Sequence, residues 1–258
     1  ELADALLHGQ IDAAIMKTSS IEMIDEMGDF TGFASDVKLI YSGEFTIKVA
    51  TTEENVIDNY LSSDDVINVY ISGIDSRGGI NEVSRSDVNI IMSINKKTHN
   101  ILMINTPRDY YVPLSISNGV RDKLTHAGVY GIECSRNTLE MLYGIQIDYY
   151  VKVNFSGFEK IIDSLGGVDV TLDYSATLSQ AGNLTVHNGV NHFNGEQALA
   201  FARERYAYSD GDRQRGRNQM MIMEAAIKKA CSPAIISNYT SVLSEVSKNV
   251  ITDMSYDF

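Results

Sequence analysis

Two apolar runs, Val88–Asn95 and Ile101–Thr106, constrain this chain more than any other feature. Both are apolar on each of their alternating faces, and only the turn-like stretch Asn95–Asn100 separates them. A strand with one wet face alternates apolar and polar side chains, whereas a strand covered on both sides does not. The runs therefore predict neighbouring central strands with helices over the sheet. Val66–Ile74 reads as another strand, ending in the turn Gly73-Ile74-Asp75-Ser76-Arg77-Gly78-Gly79. Helices and strands then alternate: helix Thr125–Tyr143, strand Tyr149–Phe155, helix Ser156–Leu165 and strand Val168–Leu172. A short helix from Asn194 to Ala202, a longer one from Arg215 to Ala230 and a last one opening at Pro233 follow. The expected fold class is mixed α/β (α+β), a central mixed β-sheet flanked by helices. At 258 residues, 44% of them hydrophobic, the chain can bury a full core without disulfides or metals as staples.

Charge divides the chain. Residues 1–65 hold 14 acids against Lys17, Lys38 and Lys48, which leaves 20 acids and 18 bases for the remainder. Before residue 63 the pattern is helix (Leu2–His8), strand (Ile11–Met16), helix (Ser20–Met27), then two strand-like runs, Val37–Tyr41 and Phe45–Ala50. Residues 1–63 are thus expected to form a small acidic α/β accessory domain, and 64–258 the main domain. A net charge of −13 argues against a partner such as nucleic acid, whose phosphates demand a basic face. Five of the ten arginines, Arg203, Arg205, Arg213, Arg215 and Arg217, nevertheless fall within fifteen residues. Guanidinium forks suit phosphate and carboxylate, so a small anionic ligand is expected there. Cys134 and Cys231 fit neither a disulfide framework nor a zinc spacing and read as buried free thiols. No run approaches the roughly 18 apolar residues of a membrane span. No signal peptide opens the chain, which begins at Glu1, so an upstream anchor stays open.

Chemistry is expected at strand ends, where open α/β sheets place ligands. Asp75 and Arg77 sit in the glycine-flanked loop after Val66–Ile74; Arg85 and Asp87 precede the next strand with a spacing that sends both to one side if extended. Each has an ordinary reading, a local ion pair in a turn and a solvated acid at a strand start. Together, Asp75 and Asp87 offer hard oxygens that suit Mg²⁺, which shares itself with phosphates. Arg108, in Pro107-Arg108-Asp109, brings a cation to a third strand end, and Lys123 lies just before a helix. Arg203 and Arg205 can grip one anion only if the helix ends before Arg203, because residues two apart diverge on a helix. Arg215 and Gln219, four apart, share a helical face near an N-terminus that itself attracts phosphate. The ordinary reading of this stretch is a solvated basic loop balanced by Glu204, Asp210 and Asp212. His187 and His192 read as loop histidines; Met220, Met221 and Met223 read as core.

The ordered set Gly73-Ile74-Asp75-Ser76-Arg77, Arg85-Ser86-Asp87, Thr106-Pro107-Arg108-Asp109, Lys123, Gly195 to Arg205, and Gly211-Asp212 with Arg215-Gly216-Arg217-Asn218-Gln219 resembles the signature of LytR-CpsA-Psr proteins. The resemblance covers about Val66 to the C-terminus, and residues 1–60 are similar, more loosely, to the accessory domain of streptococcal capsule-type members. It implies a membrane-anchored enzyme on the extracellular face of Gram-positive cells. Such an enzyme moves a glycopolymer from a polyprenyl pyrophosphate carrier to a peptidoglycan acceptor and leaves a phosphodiester link. It implies that Asp75 and Asp87 hold Mg²⁺ (or Mn²⁺), and that Asp75, Asp87 and Arg108 act in the reaction. Arg77, Arg85, Lys123, Arg203, Arg205, Arg215 and Gln219 would bind the pyrophosphate. This chain departs from the usual pattern at Asn105-Thr106 and at Leu124-Thr125-His126. A non-catalytic polyprenyl-phosphate binder or regulator, and a secreted pyrophosphatase acting on the same lipid, are the alternatives. Apolar residues such as Phe155, Phe158, Ile161, Ile162, Leu165, Met141 and Leu142 could line a lipid route or fill an ordinary core.

Overall fold

A computed structural model describes residues 65–258 apart from 77, 99, 180–182, 209–210, 233–234, 236–238 and 256–258, together with the backbone of two short strands at 38–41 and 48–49. The helices and first strand expected in residues 1–27, the boundary near residue 63, Arg77 and Pro233 lie outside the described residues. The chain is mixed α/β, as the apolar patterning predicts, and divides into two compact units. The first takes in the described residues up to Ile74, then Val83–Lys152, then the chain from Thr252; the second takes Asp75–Glu82 and Val153–Ile251.

In the first unit, β1 (Lys38–Tyr41), β2 (Lys48–Val49), β3 (Val66–Ile74), β4 (Ser86–Asn95) and β5 (Asn100–Asn105) lie in the order β3-β4-β5-β1-β2. β4 is antiparallel to both neighbours, with Val66 opposite Asn95 on one side and Asn95 opposite Asn100 on the other. Ile90 and Ile91 point to opposite faces and are 1% and 0% exposed, so β4 is covered on both sides. The expected turn after β4 forms because the Asn95 side chain accepts from Lys97 N at 3.0 Å and Thr98 N at 2.9 Å. A second hairpin, β6 (Tyr111–Pro113) against β7 (Arg121–Lys123), was not legible in the sequence; Asn118 and Gly119 carry its turn at positive φ.

The single helix expected over Thr125–Tyr143 is divided. It consists of α1 (Leu124–Ala127), a 3₁₀ turn at Gly128–Tyr130 and α2 (Ile132–Tyr143). Gly131, at φ 104°, interrupts the helical backbone. A Cβ on Gly128 would sit 2.5 Å from Ser86 N and 2.6 Å from Ser84 O, so this turn packs directly on the backbone entering β4. Cys134, on α2, is buried as expected. Met141 is 60% exposed and is not core.

β8 (Tyr149–Asn154), whose first four residues belong to the first unit, leads into α3 (Phe155–Ser164) of the second, which Asn154 caps by accepting from Gly157 N at 2.8 Å. β9 (Val168–Leu172) pairs with β12 (Gly189–Phe193), and β10 (Ala176–Leu178) with β11 (Leu184–Val186). α4 (Gly195–Arg203), α5 (Asp212–Ala230), α6 (Tyr239–Asn249) and β13 (Val250–Thr252) complete the order. On β9, Val168, Val170 and Leu172 face a core shared with Ile162, Phe193, Phe201 and Ile222, while Asp169 and Thr171 are exposed. Burying side chains of the size of Phe201 or Leu178 contributes about 1.5–3 kcal/mol each. Met221 packs against this core, and Met220 and Met223 are half-buried. Two expectations fail here. Cys231 is exposed, because it follows the last turn of α5. His192 is not in a loop but on β12, opposite Asp169, whose carboxylate lies 2.7 Å from its Nδ1. Among the described residues no helix is long and apolar enough to cross a membrane.

Candidate active site

Asp87 owes its position to an irregularity in β4. Gly73 pairs with Val88, but the next residue, Ile74, pairs with Ser86, so Asp87 is the extra residue of a bulge. Bulges re-aim side chains and are common beside active sites. Gly73 permits the tight pairing there, since a Cβ on it would lie 2.8 Å from Val88 Cβ. Arg85, just before β4, is exposed, whereas Asp87 is 7% exposed.

A buried carboxylate needs compensation, and Asp87 has it. One terminal nitrogen of Arg108 lies 2.8 Å from each Asp87 oxygen, and Thr125 Oγ1 donates to Oδ1 at 3.3 Å. The departure Leu124-Thr125-His126 thus places a hydroxyl on the candidate carboxylate. Backbone bonds from Thr125 N to Arg108 O and from Leu124 N to Tyr110 O, both 2.8 Å, tie the start of α1 to the Arg108 loop. Lys123 joins the same group through Asp109, whose carboxylate lies 2.9 Å from Lys123 Nζ and 3.6 Å from Arg108 Nε. Both partners of the Lys123 pair are well exposed, so it contributes under about 1 kcal/mol. Next to it, the Lys123 N–H, and after it His126, hold the Asp122 carboxyl below the usual carboxylate range.

Beneath the bulge lies a polar chain that sequence reasoning did not find. The Tyr70 hydroxyl donates to Asn89 Oδ1 at 2.7 Å, and Asn89 Nδ2 donates to the carbonyl of Ser86 at 3.1 Å, the residue before Asp87. Burial pushes the Tyr70 phenol up, so it stays a neutral donor. The signal in the sequence was a tyrosine and an asparagine within strands otherwise read as apolar.

In the second unit, Asp75 is exposed at the start of a loop pinned to the beginning of α3: Phe155 N donates to Ser76 O at 3.1 Å and Asn154 Nδ2 to Gly78 O at 2.7 Å. Arg203 is the last residue of α4, with its guanidinium carbon 4.5 Å from the centre of the Phe155 ring. The helix therefore does not end before Arg203, as the two-arginine argument required; extended backbone begins one residue later, at Glu204 (φ −65°, ψ 135°). Arg215 and Gln219 do share a face of α5, and both are buried, at 5% and 7% exposure. Gln219 Nε2 donates to Ala202 O at 3.4 Å and Asn218 Nδ2 to Phe201 O at 2.9 Å, which fastens α5 to the last turn of α4.

The structure thus joins Asp87, Arg108 and Lys123 within one unit, and gathers Arg203, Arg205, Arg215 and Gln219 around the end of α4 in the other. The pattern of one family matches residues 37–258. The chain belongs to the LytR-CpsA-Psr family. Relatives within it include the polyisoprenyl-teichoic acid–peptidoglycan teichoic acid transferase TagU of Bacillus cereus, 34% identical over 202 residues, or 76% of this chain and 63% of TagU. TagT of Bacillus subtilis, likewise named a polyisoprenyl-teichoic acid–peptidoglycan teichoic acid transferase, is 32% identical over 225 residues, 83% of this chain and 69% of TagT. Among solved LytR-CpsA-Psr structures, B. subtilis TagV superposes with a TM-score of 0.66 at 29% identity, covering 75% of this chain and 76% of TagV. TagT bound to LI-WTA gives 0.60 at 31% identity, covering 75% and 71%. The chain spans about 63% of the length of the TagU relatives it matches.

Proposed function

We propose that this chain is a phosphotransferase that moves a glycopolymer from a polyprenyl pyrophosphate carrier to peptidoglycan, leaving a phosphodiester link. The acceptor hydroxyl oxygen forms a bond to the phosphorus that carries the glycan. The bond from that phosphorus to the bridging oxygen breaks, polyprenyl phosphate leaves, and the acceptor hydroxyl's proton passes to the departing phosphate or to solvent. The observation that carries this reading is Asp87, set on a strand bulge with one Arg108 nitrogen on both its oxygens, in a chain 34% identical over 202 residues to a protein named as a polyisoprenyl-teichoic acid–peptidoglycan teichoic acid transferase. Reaction at the outer face of the cell membrane, where carrier and wall meet, belongs to the same proposal.

Phosphoryl transfer asks a protein mainly for alignment and for charge against the non-bridging oxygens. Arg108, with Arg85 and Lys123, would supply that from the first unit; Arg203, Arg205, Arg215 and Gln219 would supply it from the second. The carboxylates of Asp75 and Asp87 fit Mg²⁺, or Mn²⁺, as hard oxygen donors. An ion held by so few protein oxygens would complete its shell with phosphate and water. Such an ion would neutralise charge on the diphosphate. The test is reconstitution with lipid-linked glycopolymer, peptidoglycan and Mg²⁺, with mass spectrometry of the products. Glycopolymer joined to wall through a phosphodiester is the expected result. Release of free polymer phosphate, or lipid binding unaffected by EDTA and without turnover, would overturn it in favour of a pyrophosphatase or a binder.

A further inference from the structure

A glutamate between two arginines reads in sequence as charge balance on a solvated loop. In the structure Glu204 is 0% exposed. Its Oε1 accepts from three successive backbone N–H groups, Arg205 at 2.9 Å, Tyr206 at 2.7 Å and Ala207 at 3.2 Å. Ser179 Oγ donates to the same carboxylate at 3.3 and 3.4 Å. Successive N–H groups turned to one point make a nest for an anion, and here the chain fills the nest with its own side chain. The far end of the loop is held as well. Tyr208 shares a hydroxyl–hydroxyl bond of 3.1 Å with Tyr174, and their rings meet edge to face at 5.6 Å. Ser179 and Tyr174 both come from the segment around β10, so one neighbouring stretch grips the loop at two points, with Arg205 between them.

We infer that Glu204 is a positioning residue: its buried carboxylate sets the backbone that carries Arg205, so that the guanidinium meets an anionic phosphate headgroup in a prearranged orientation. This rests on the reading of the arginines as headgroup ligands. The ordering of the loop is settled when the protein folds and does not have to be supplied when the headgroup arrives, which is where prearranged charge gains its effect. Glu204 touches no substrate in this account and acts through the 205–207 backbone.

The test compares E204A, E204Q, R205A and E204A/R205A in the reconstituted transfer reaction, with thermal melts to report folding. E204Q keeps an acceptor oxygen for the three N–H groups; E204A does not. Misplacement by about 1 Å costs on the order of 10²-fold. E204A is therefore expected to lose about 30- to 100-fold in kcat/KM, mostly in kcat, and E204Q to recover to within about 5-fold of wild type. On the R205A background E204A is expected to add less than about 2-fold, because residues acting through one another are not additive. Y208F, which removes one bond at the far end, is expected to lose about 3- to 10-fold and serves if E204A does not fold. Full turnover per folded molecule in E204A, or in Y208F where E204A does not fold, would overturn the inference. Independent, multiplying losses in the double variant, or no recovery in E204Q, would overturn it equally. Full turnover in R205A would remove the arginine reading along with it, whereas an impaired R205A beside an unimpaired E204A would remove the positioning role alone.

Discussion

Removing Arg108 takes away the guanidinium that lies on both oxygens of a nearly buried carboxylate. The sequence alone suggests that Arg108→Ala folds normally and merely loses transfer. The contact to Asp87 changes that expectation, because a buried carboxylate that loses its charged donor, even with Thr125 Oγ1 still on Oδ1, is destabilised by about 1–3 kcal/mol. Arg108 is itself 22% exposed and water can reach it, so the lower half of that range is expected. Transfer should fall on the order of 10³, by analogy with arginines that stabilise charge on a transferring phosphoryl group. Arg108→Lys should hold most of the stability through its charge yet recover little transfer, since an ammonium cannot reproduce a planar fork. Assays below both melting transitions separate the two effects. Wild-type turnover in the folded Arg108→Ala variant would remove this residue from the reaction.

Elements place these residues, and two glycine- and asparagine-dependent joints decide how well. Alanine at 128 is the better helix former by about 1 kcal/mol, yet its methyl would overlap the backbone entering β4. Gly128→Ala is therefore expected to destabilise the protein by about 1–3 kcal/mol, the range for overpacking, and a urea midpoint at or above wild type would contradict the contact. At α4, Asn194 and Gln197 form a reciprocal capping box, with Gln197 N to Asn194 Oδ1 at 2.9 Å and Asn194 N to Gln197 Oε1 at 3.1 Å. Asn194→Ala should cost about 1 kcal/mol, visible as a lower melting temperature, and should loosen the helix that ends in Arg203. The same elements show what a sequence can disclose. β3 and β9 were legible to the residue and β4 and β5 to within two, because their apolar runs leave one reading. The break after α1 was not, since Gly128 answers to a backbone about 40 residues upstream. Nor was the bulge, because a period-of-two reading assumes an unbroken register. Glu204 was visible only as a charge among charges; its burial is a property of the packed loop.

Across the whole molecule, a chain of net charge −13 is proposed to act on a donor that is itself anionic, so attraction has to come from local groups. Screening limits exposed charges to about 8 Å at physiological salt. Net charge therefore matters less than the arginines and any cation at hand. A divalent ion bound by few protein oxygens and completed by phosphate should bind weakly to the protein alone and strongly to its complex with the diphosphate. Ligand binding raises stability according to how far its concentration exceeds the dissociation constant. Millimolar Mg²⁺ by itself is thus expected to leave the melting temperature nearly unchanged, while Mg²⁺ with polyprenyl pyrophosphate should raise it by several degrees, about 1–3 kcal/mol of linkage. Asp87→Asn should abolish that joint shift. In the transfer assay EDTA should lower the rate by at least about 10²-fold, with recovery in Mg²⁺ or Mn²⁺ and much less in the larger Ca²⁺. A full rate in chelator, together with a melting shift produced by the lipid diphosphate alone, would remove the metal from the proposal and leave the arginines to carry the charge.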